Sequence, residues 1–273
     1  LAKIAFRNVN FEPDTLDIIQ KMNQILDGHA GRMTVRQVYY RYVAQGWIAN
    51  KPKSYDRIQD IATKARYAGM VDWDKIEDRL RGAEKPQDWE SGAAALSGVC
   101  EGFRLDRWSD QPFYVEVWIE KDALSGVLAP VSDTFHVPAM VNRGYSSASA
   151  MKEAADRIRW RCKQDNRPRP VILYLGDHDS SGLDMGKRDI YERLTEFGCP
   201  TELDVRMLAL TMDQIEEYKC PENPAKVTDS RAAAYIEKYG ASSWELDALP
   251  PDVLEDMLAD AVKSYIDQAK MDA

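Results

Sequence analysis

FYVEVWIEKDALSGVL (113–128) and VILYLGDHDSSG (171–182) decide the fold. Each opens with a short run of β-branched, aromatic and aliphatic residues and passes straight into turn and helix signals. VPAMV (137–141) and VRMLAL (205–210) supply two further strands, and roughly 147–163 and 183–197 read as the helices between them. Strands and helices alternating at this length predict an α/β fold with a mostly parallel, doubly wound sheet over 113–273. From Thr211 onward the chain is acidic and helical, punctuated by Pro221, Pro224, Pro250 and Pro251, and reads as a helical C-terminal extension.

Working outward, the N-terminal stretch has a different texture. Ile18, Ile19, Met22, Ile25 and Leu26 keep helical spacing over about 14–27. Thr34 followed by Gln37 is a capping-box pattern opening a helix near 34–45. Ser54 is positioned to cap a third helix near 54–67, which Gly69 ends. Three short helices, the turn-rich GWIANKPK (46–53) between two of them, and VDWDKI (71–76) as a wing predict a winged helix-turn-helix domain over 1–81. Residues 82–112 then form a connector with one helix around Glu90–Phe103.

Composition excludes some classes. No apolar run approaches the roughly 20 residues of a membrane span, so no membrane partner is expected. The four cysteines stand far apart with no C-x-x-C pair, against a zinc site or disulfide framework and for a reducing cytoplasm. The N-terminus lacks the layout of a secretory signal, so the expected location is cytoplasmic, with the nucleoid if the source is prokaryotic. Net charge is −9, but residues 31–70 carry eight bases against two acids. A locally basic module on an acidic chain still attracts phosphate, because screening confines exposed charges to about 10 Å.

Functional groups of open α/β sheets collect at the carboxyl ends of strands. Glu120 follows FYVEVWI directly, and Asp177 and Asp179 follow VILYLG. Carboxylates crowded on one rim repel each other unless a cation neutralises them, and Mg²⁺, with Mn²⁺ as its substitute, is the natural partner. The plainer role for the two aspartates is to cap the turn before the next helix. An EF-hand is excluded because the twelfth position from Asp177 is Arg188, not Glu. A phosphate loop at Gly182–Arg188 is one residue short between its glycines and lacks the following Ser or Thr. A haloacid-dehalogenase-type phosphatase also places Asp-x-Asp after a strand, and stays open as an alternative.

Helix 34–45 carries a further signal. Val35, Val38, Tyr39, Tyr42 and Val43 form its apolar stripe. Tyr40 lies off that stripe, on the side of Arg36 one turn earlier. A guanidinium there would stabilise a phenolate and a phosphate under attack, so Tyr40 is a candidate nucleophile. A tyrosine that merely packs on a neighbouring domain has the same spacing.

TVRQVYY (34–40), VEVWIEKDAL (115–124), NRGYSSASA (142–150) and GDHDSSG (176–182) together resemble topoisomerase VI A subunits and the related meiotic double-strand-break proteins. The resemblance covers roughly residues 30–200. It implies a winged helix followed by a TOPRIM-type, Rossmann-like domain. In it, Tyr40 matches the tyrosine that becomes linked to a 5′ phosphate, Arg36 its assisting arginine, and Glu120, Asp177 and Asp179 the metal-holding acids. It also implies a homodimer on double-stranded DNA and a separate ATPase subunit as partner. Ser180 stands where the family has proline, and Ser146-Ser147 follow the Gly-Tyr pair where the family has Pro-Asp. Lys53, Arg57, Lys64, Arg66, Lys121 and Arg143 are the expected DNA contacts. Two other functions fit the same residues: a TOPRIM nuclease using activated water with Tyr40 structural, and a non-enzymatic winged-helix DNA-binding regulator.

Overall fold

Strands β1 (Phe113–Ile119) and β3 (Arg169–Leu175) lie side by side at the centre of the chain, parallel and in register from Phe113 opposite Arg169 to Ile119 opposite Leu175. They belong to a computed structural model that describes residues 3–76, 88–142, 144–163, 168–225 and 231–271. A short β2 (Ala139–Val141) pairs with the outer side of β1, and β4 (Asp204–Ala209) with β3, giving a parallel sheet in the order β2-β1-β3-β4. The four strands fall where the four apolar runs predict them. The nearly continuous apolar runs of β1 and β3 have a physical cause, since these central strands are covered on both faces, whereas the edge strands β2 and β4 are only partly covered.

The two faces separate cleanly. Tyr114, Trp118, Ile172 and Tyr174 point to α6 (Ala148–Cys162) and α8 (Ile190–Glu196). Val115, Val117, Ile119, Val171, Leu173 and Leu175 point the other way, towards α5 (Ser125–Phe135) and α11 (Pro251–Lys263). Glu116 sits on the first face, almost wholly buried. Its charge is met by Tyr114 Oη (2.7 Å), Trp118 Nε1 (2.9 Å) and a two-pronged contact from Arg157 (2.8 Å each).

The helix expected over 183–197 is broken in two. A short α7 (Ser180–Asp184) passes through a π turn at Met185–Asp189 before α8 begins. The widened turn brings Gly186 against the sheet, where a Cβ would stand 2.7 Å from both Met207 Sδ and Tyr174 Cδ1.

The N-terminal helices form as the spacing predicts: α1 (Pro13–Asp27), α2 (Val35–Ala44) and α3 (Pro52–Tyr67). The Thr34–Gln37 capping box is made in both directions. Ser54 does not cap α3. That helix starts earlier, at Pro52, whose fixed φ suits the first helical position. The expected wing takes another form among the described residues. Asp72 caps a 3₁₀ turn at Trp73–Lys75, and Ile76 makes one parallel bridge to Met33. Trp73 is drawn into that turn by edge-on contacts with Phe6 and Tyr67. The connector carries α4 (Gly92–Gly102), none of whose residues is buried; its first residues lie outside the described ones. No helix among the described residues is long and apolar enough to cross a membrane.

One apolar cluster runs from Leu26, Val38 and Tyr42 of the N-terminal helices through Val117 and Leu173 of the sheet to Leu246, Leu249 and Leu254. The acidic extension is therefore packed between helices and sheet. It contributes α9 (Met212–Glu217), a two-residue antiparallel pair of β5 (Asn223–Pro224) and β6 (Ser242–Ser243) flanking α10 (Ala232–Tyr239), then α11 and α12 (Gln268–Met271).

Candidate active site

Parallel pairing of β1 and β3 brings the residues just beyond them to one rim. The Glu120 backbone N–H continues the ladder to the Leu175 carbonyl at 2.9 Å. Its side-chain Oε2 accepts the backbone N–H of Asp177 (2.9 Å) and the Tyr174 hydroxyl (3.2 Å). Two glycines make room. A Cβ at Gly176 would stand 2.6 Å from Glu120 Oε2, and one at Gly182 only 2.1 Å from the Asp177 carbonyl oxygen.

Asp177 is buried. Its Oδ1 accepts the Leu246 N–H at 2.9 Å and pairs with Lys121 Nζ at 2.9 Å. Asp179 serves as the N-cap of α7, its Oδ1 accepting from Ser181 N–H (3.0 Å) and Gly182 N–H (2.8 Å). The plainer role foreseen for Asp179 is thus present in the fold. His178, between them, turns away into a pocket of Tyr235, Tyr239 and Trp244, with Nδ1 3.0 Å from Tyr235 Oη. Burial pushes its imidazole down to about 4, so the ring is neutral.

Burial, reinforced by the neighbouring Asp177 charge, raises the Glu120 carboxyl to about 7. Burial also raises Asp177, to about 6, although Lys121 opposes the shift. Both groups are therefore costly to ionise where they stand.

Lys121 corrects an expectation. It is not available to DNA in this arrangement, because its ammonium contacts Asp177 (2.9 Å), Glu245 (3.0 Å) and Asp247 (2.9 Å). Against the cost of burial, those three carboxylates hold it charged well above its ordinary range. Glu245 and Asp247 escaped the sequence reading because they lie more than a hundred residues downstream in WELD (244–247), with no motif around them. The antiparallel pairing of β5 with β6 and the backbone bridge between His178 and Trp244 bring them back to the rim. Asp247 is fully buried, and its Oδ1 has no hydrogen-bond partner among the described residues.

Tyr40 and Arg36 are also placed differently from expectation. The same C-terminal segment covers the side of α2 that periodicity left outside. Tyr40 is consequently 1% exposed, and its hydroxyl accepts from Asn223 Nδ2 at 3.1 Å. Arg36 forks onto the Glu245 carboxylate, with its guanidinium 5.9 Å from the centre of the Tyr40 ring. The phenol is not eased toward phenolate. Burial and the Glu245 charge push it up to about 12, outweighing Asn223 and Arg36.

The expected DNA contacts divide. Lys53, Arg57 and Lys64 share an exposed face of α3, with Lys64 paired to Asp60 at 2.6 Å. Arg66 is half-buried, its guanidinium 5.1 Å over the Trp73 ring. Arg143 lies outside the described residues.

Among the described residues, no three His, Cys, Asp or Glu side chains are gathered tightly enough to hold a metal ion as they stand. Fit to Mg²⁺ therefore concerns donor chemistry. Glu120 and Asp177 are oxygen donors held at one rim, and burial keeps both raised even with the Lys121 ammonium 2.9 Å from Asp177. Mg²⁺ needs only one or two carboxylates because it keeps several waters. Glu120, Asp177 and Asp179 would supply the oxygens. Compared with known proteins, the chain matches no family model and no curated sequence.

Proposed function

We propose that this chain is a Mg²⁺-dependent DNA-cleaving protein of the winged-helix and TOPRIM type, working as a homodimer. One observation carries the reading: Glu120 and Asp177, from the ends of adjacent parallel strands, are joined by a 2.9 Å hydrogen bond and both raised in pKa by burial. A rim of this kind calls for a cation, and the motif order around it resembles that of topoisomerase VI A subunits. Bound there, the ion supplies charge neutralisation and positioning of a scissile phosphate.

The chain's own residues do the rest. Lys53, Arg57 and Lys64 meet backbone phosphates along α3. Arg36 offers a planar fork to the phosphate under attack. Tyr40 Oη forms a bond to phosphorus as the bond to the 3′ oxygen breaks. The products are a 5′-phosphotyrosyl end and a free 3′ hydroxyl, which takes up the proton the phenol gives to solvent. In the dimer each protomer brings one Tyr40, so two nucleophiles give two cuts. An ATPase subunit would be needed for strand passage.

A second reading is favoured by the burial of Tyr40 and its phenol near 12: the attacking group is a water and Tyr40 is structural. Incubation with duplex DNA and Mg²⁺, stopped with detergent, separates the two. Protein-linked DNA that vanishes in Tyr40→Phe is the expected result. Full cutting by Tyr40→Phe with none by Asp177→Ala would establish the water mechanism. No cutting by the wild-type chain, alone or with added Mn²⁺, would overturn both.

A further inference from the structure

Arg36 and Lys121 come from separate elements, α2 and the loop after β1, yet they converge on one carboxylate. Glu245 presents both oxygens to the Arg36 guanidinium and one of them also to Lys121 Nζ at 3.0 Å. A planar anion held by an arginine fork and a lysine ammonium is chemically the arrangement that binds a phosphodiester. We propose that Glu245 is a built-in stand-in for the substrate phosphate, occupying Arg36 and Lys121 in the resting chain and leaving when a DNA phosphate takes its place.

The placement of Glu245 suits such an exchange. Trp244 and Leu246 on either side are buried and anchor the backbone, whereas the Glu245 side chain is 22% exposed and faces both cations from the rim. A rotation of that one side chain vacates the position without unfolding the segment. Lys121 would keep Asp177 and Asp247 during the exchange, so it is never left uncompensated. Among the described residues Arg36 makes its ion pair with Glu245 alone, so it is the group most changed by the exchange. Arg36 also lies over the Tyr40 ring, so the anion it holds sits beside the proposed nucleophile. A carboxylate there is a competitor for substrate at the point of chemistry. A merely structural salt bridge has the same contacts but makes different predictions.

This inference rests on the proposal that the chain acts on DNA, and the test separates the two. Binding of a fluorescein-labelled duplex oligonucleotide is measured in EDTA, where no cleavage contributes, across a salt series. In Glu245→Gln the shape is kept and the charge removed. The duplex should then bind about tenfold more tightly at low salt. The slope of log K against log salt should stay as in wild type, because the same phosphate contact is made once Glu245 has left. Arg36→Gln placed in the same chain should cancel the gain in affinity and flatten the slope by about 0.9, one phosphate contact fewer. Equal or weaker binding by Glu245→Gln, with wild type still binding in a salt-dependent way, overturns the stand-in and leaves the DNA reading intact. Absence of salt-dependent binding by both overturns the DNA reading and the stand-in together. If Glu245→Gln folds poorly, inorganic phosphate decides. It should raise the melting temperature of the variant more than that of wild type, and equal effects would overturn the proposal. Glu245→Asp, which keeps the charge on a shorter arm, should give an intermediate DNA affinity.

Discussion

The backbone N–H of Asp177 donates to Glu120 Oε2 at 2.9 Å, so the acids of two neighbouring strands are tied together by the fold itself. The same geometry buries both, and burial is what raises them. Holding two carboxyl groups at this edge disfavours their charged forms, and either a proton or a cation relieves that.

Stability should therefore depend on pH in a particular direction. A carboxyl raised to about 7 in the folded chain retains a proton that the unfolded chain, with an ordinary value near 4, has lost. The stabilisation from Glu120 and Asp177 is complete below the unfolded value and is lost as pH rises through about 6 and 7. Melting in EDTA should fall between pH 5 and pH 8, and Glu120→Gln should flatten that fall. Above pH 7, Mg²⁺ at about a hundred times its dissociation constant should restore roughly 2.7 kcal/mol, or several degrees. A melting temperature indifferent to Mg²⁺ at pH 8 would count against the metal.

His178 predicts the opposite slope in a lower window. Its imidazole, pushed down by burial to about 4, stays neutral in the folded chain while the unfolded one takes up a proton below about 6.5. Stability from this group is present above 6.5 and is lost as pH falls toward 4. His178→Phe would keep the aromatic packing against Tyr239 and Trp244 and remove that acid sensitivity. Thermal melts of the two proteins between pH 4 and pH 7 measure the difference.

Gly182 offers a steric test of the rim. An added Cβ would meet the backbone carbonyl of Asp177 at 2.1 Å, and backbone cannot swing aside. Gly182→Ala should cost about 1–3 kcal/mol or more and weaken the Mg²⁺ response by displacing Asp177. At Gly92, on the exposed helix α4, nothing lies within 4 Å, and Gly92→Ala should leave both stability and the Mg²⁺ response nearly unchanged. Equal effects at the two positions would refute the packing argument.

What was legible in the sequence follows the range of the forces involved. The two central strands announced themselves because burial on both faces makes each a nearly continuous apolar run. The rim carboxylates followed from their position directly after β1 and β3. The capping box of α2 is equally local, a three-residue pattern. Tyr40 shows where local pattern fails. Helical periodicity assigned it to an open face, but that face is closed by Asn223 and Glu245, whose approach depends on the pairing of β5 with β6 far downstream in the chain. Lys121 has the same kind of surroundings: its basic charge is visible in sequence, and its three acidic partners are not. The break in the 183–197 helix had a signal, Gly186, whose meaning depends on Tyr174 and Met207 beneath it.

Glu116 and Arg157 provide a way to separate stability from the acidic rim. Glu116 alternates with Val115 and Val117 along β1, and so faces the α6 side, where Val171, Leu173 and the rest of the main apolar cluster do not reach. Its charge is tolerated because Tyr114, Trp118 and Arg157 together satisfy both oxygens. Arg157→Ala would leave a buried carboxylate with two neutral donors and no countercharge. Breaking a buried pair from one side costs about 3–5 kcal/mol, and because Arg157 is itself 40% exposed the loss should sit near 2–3 kcal/mol. The variant's Mg²⁺-induced rise in melting temperature should match that of wild type, since Glu120 and Asp177 are not among the contacts of Arg157. Calorimetry at pH 5 and pH 8, with and without Mg²⁺, reads both quantities in one protein. A lost Mg²⁺ response with unchanged stability would mean that this network, rather than the strand-end carboxylates, holds the cation site together.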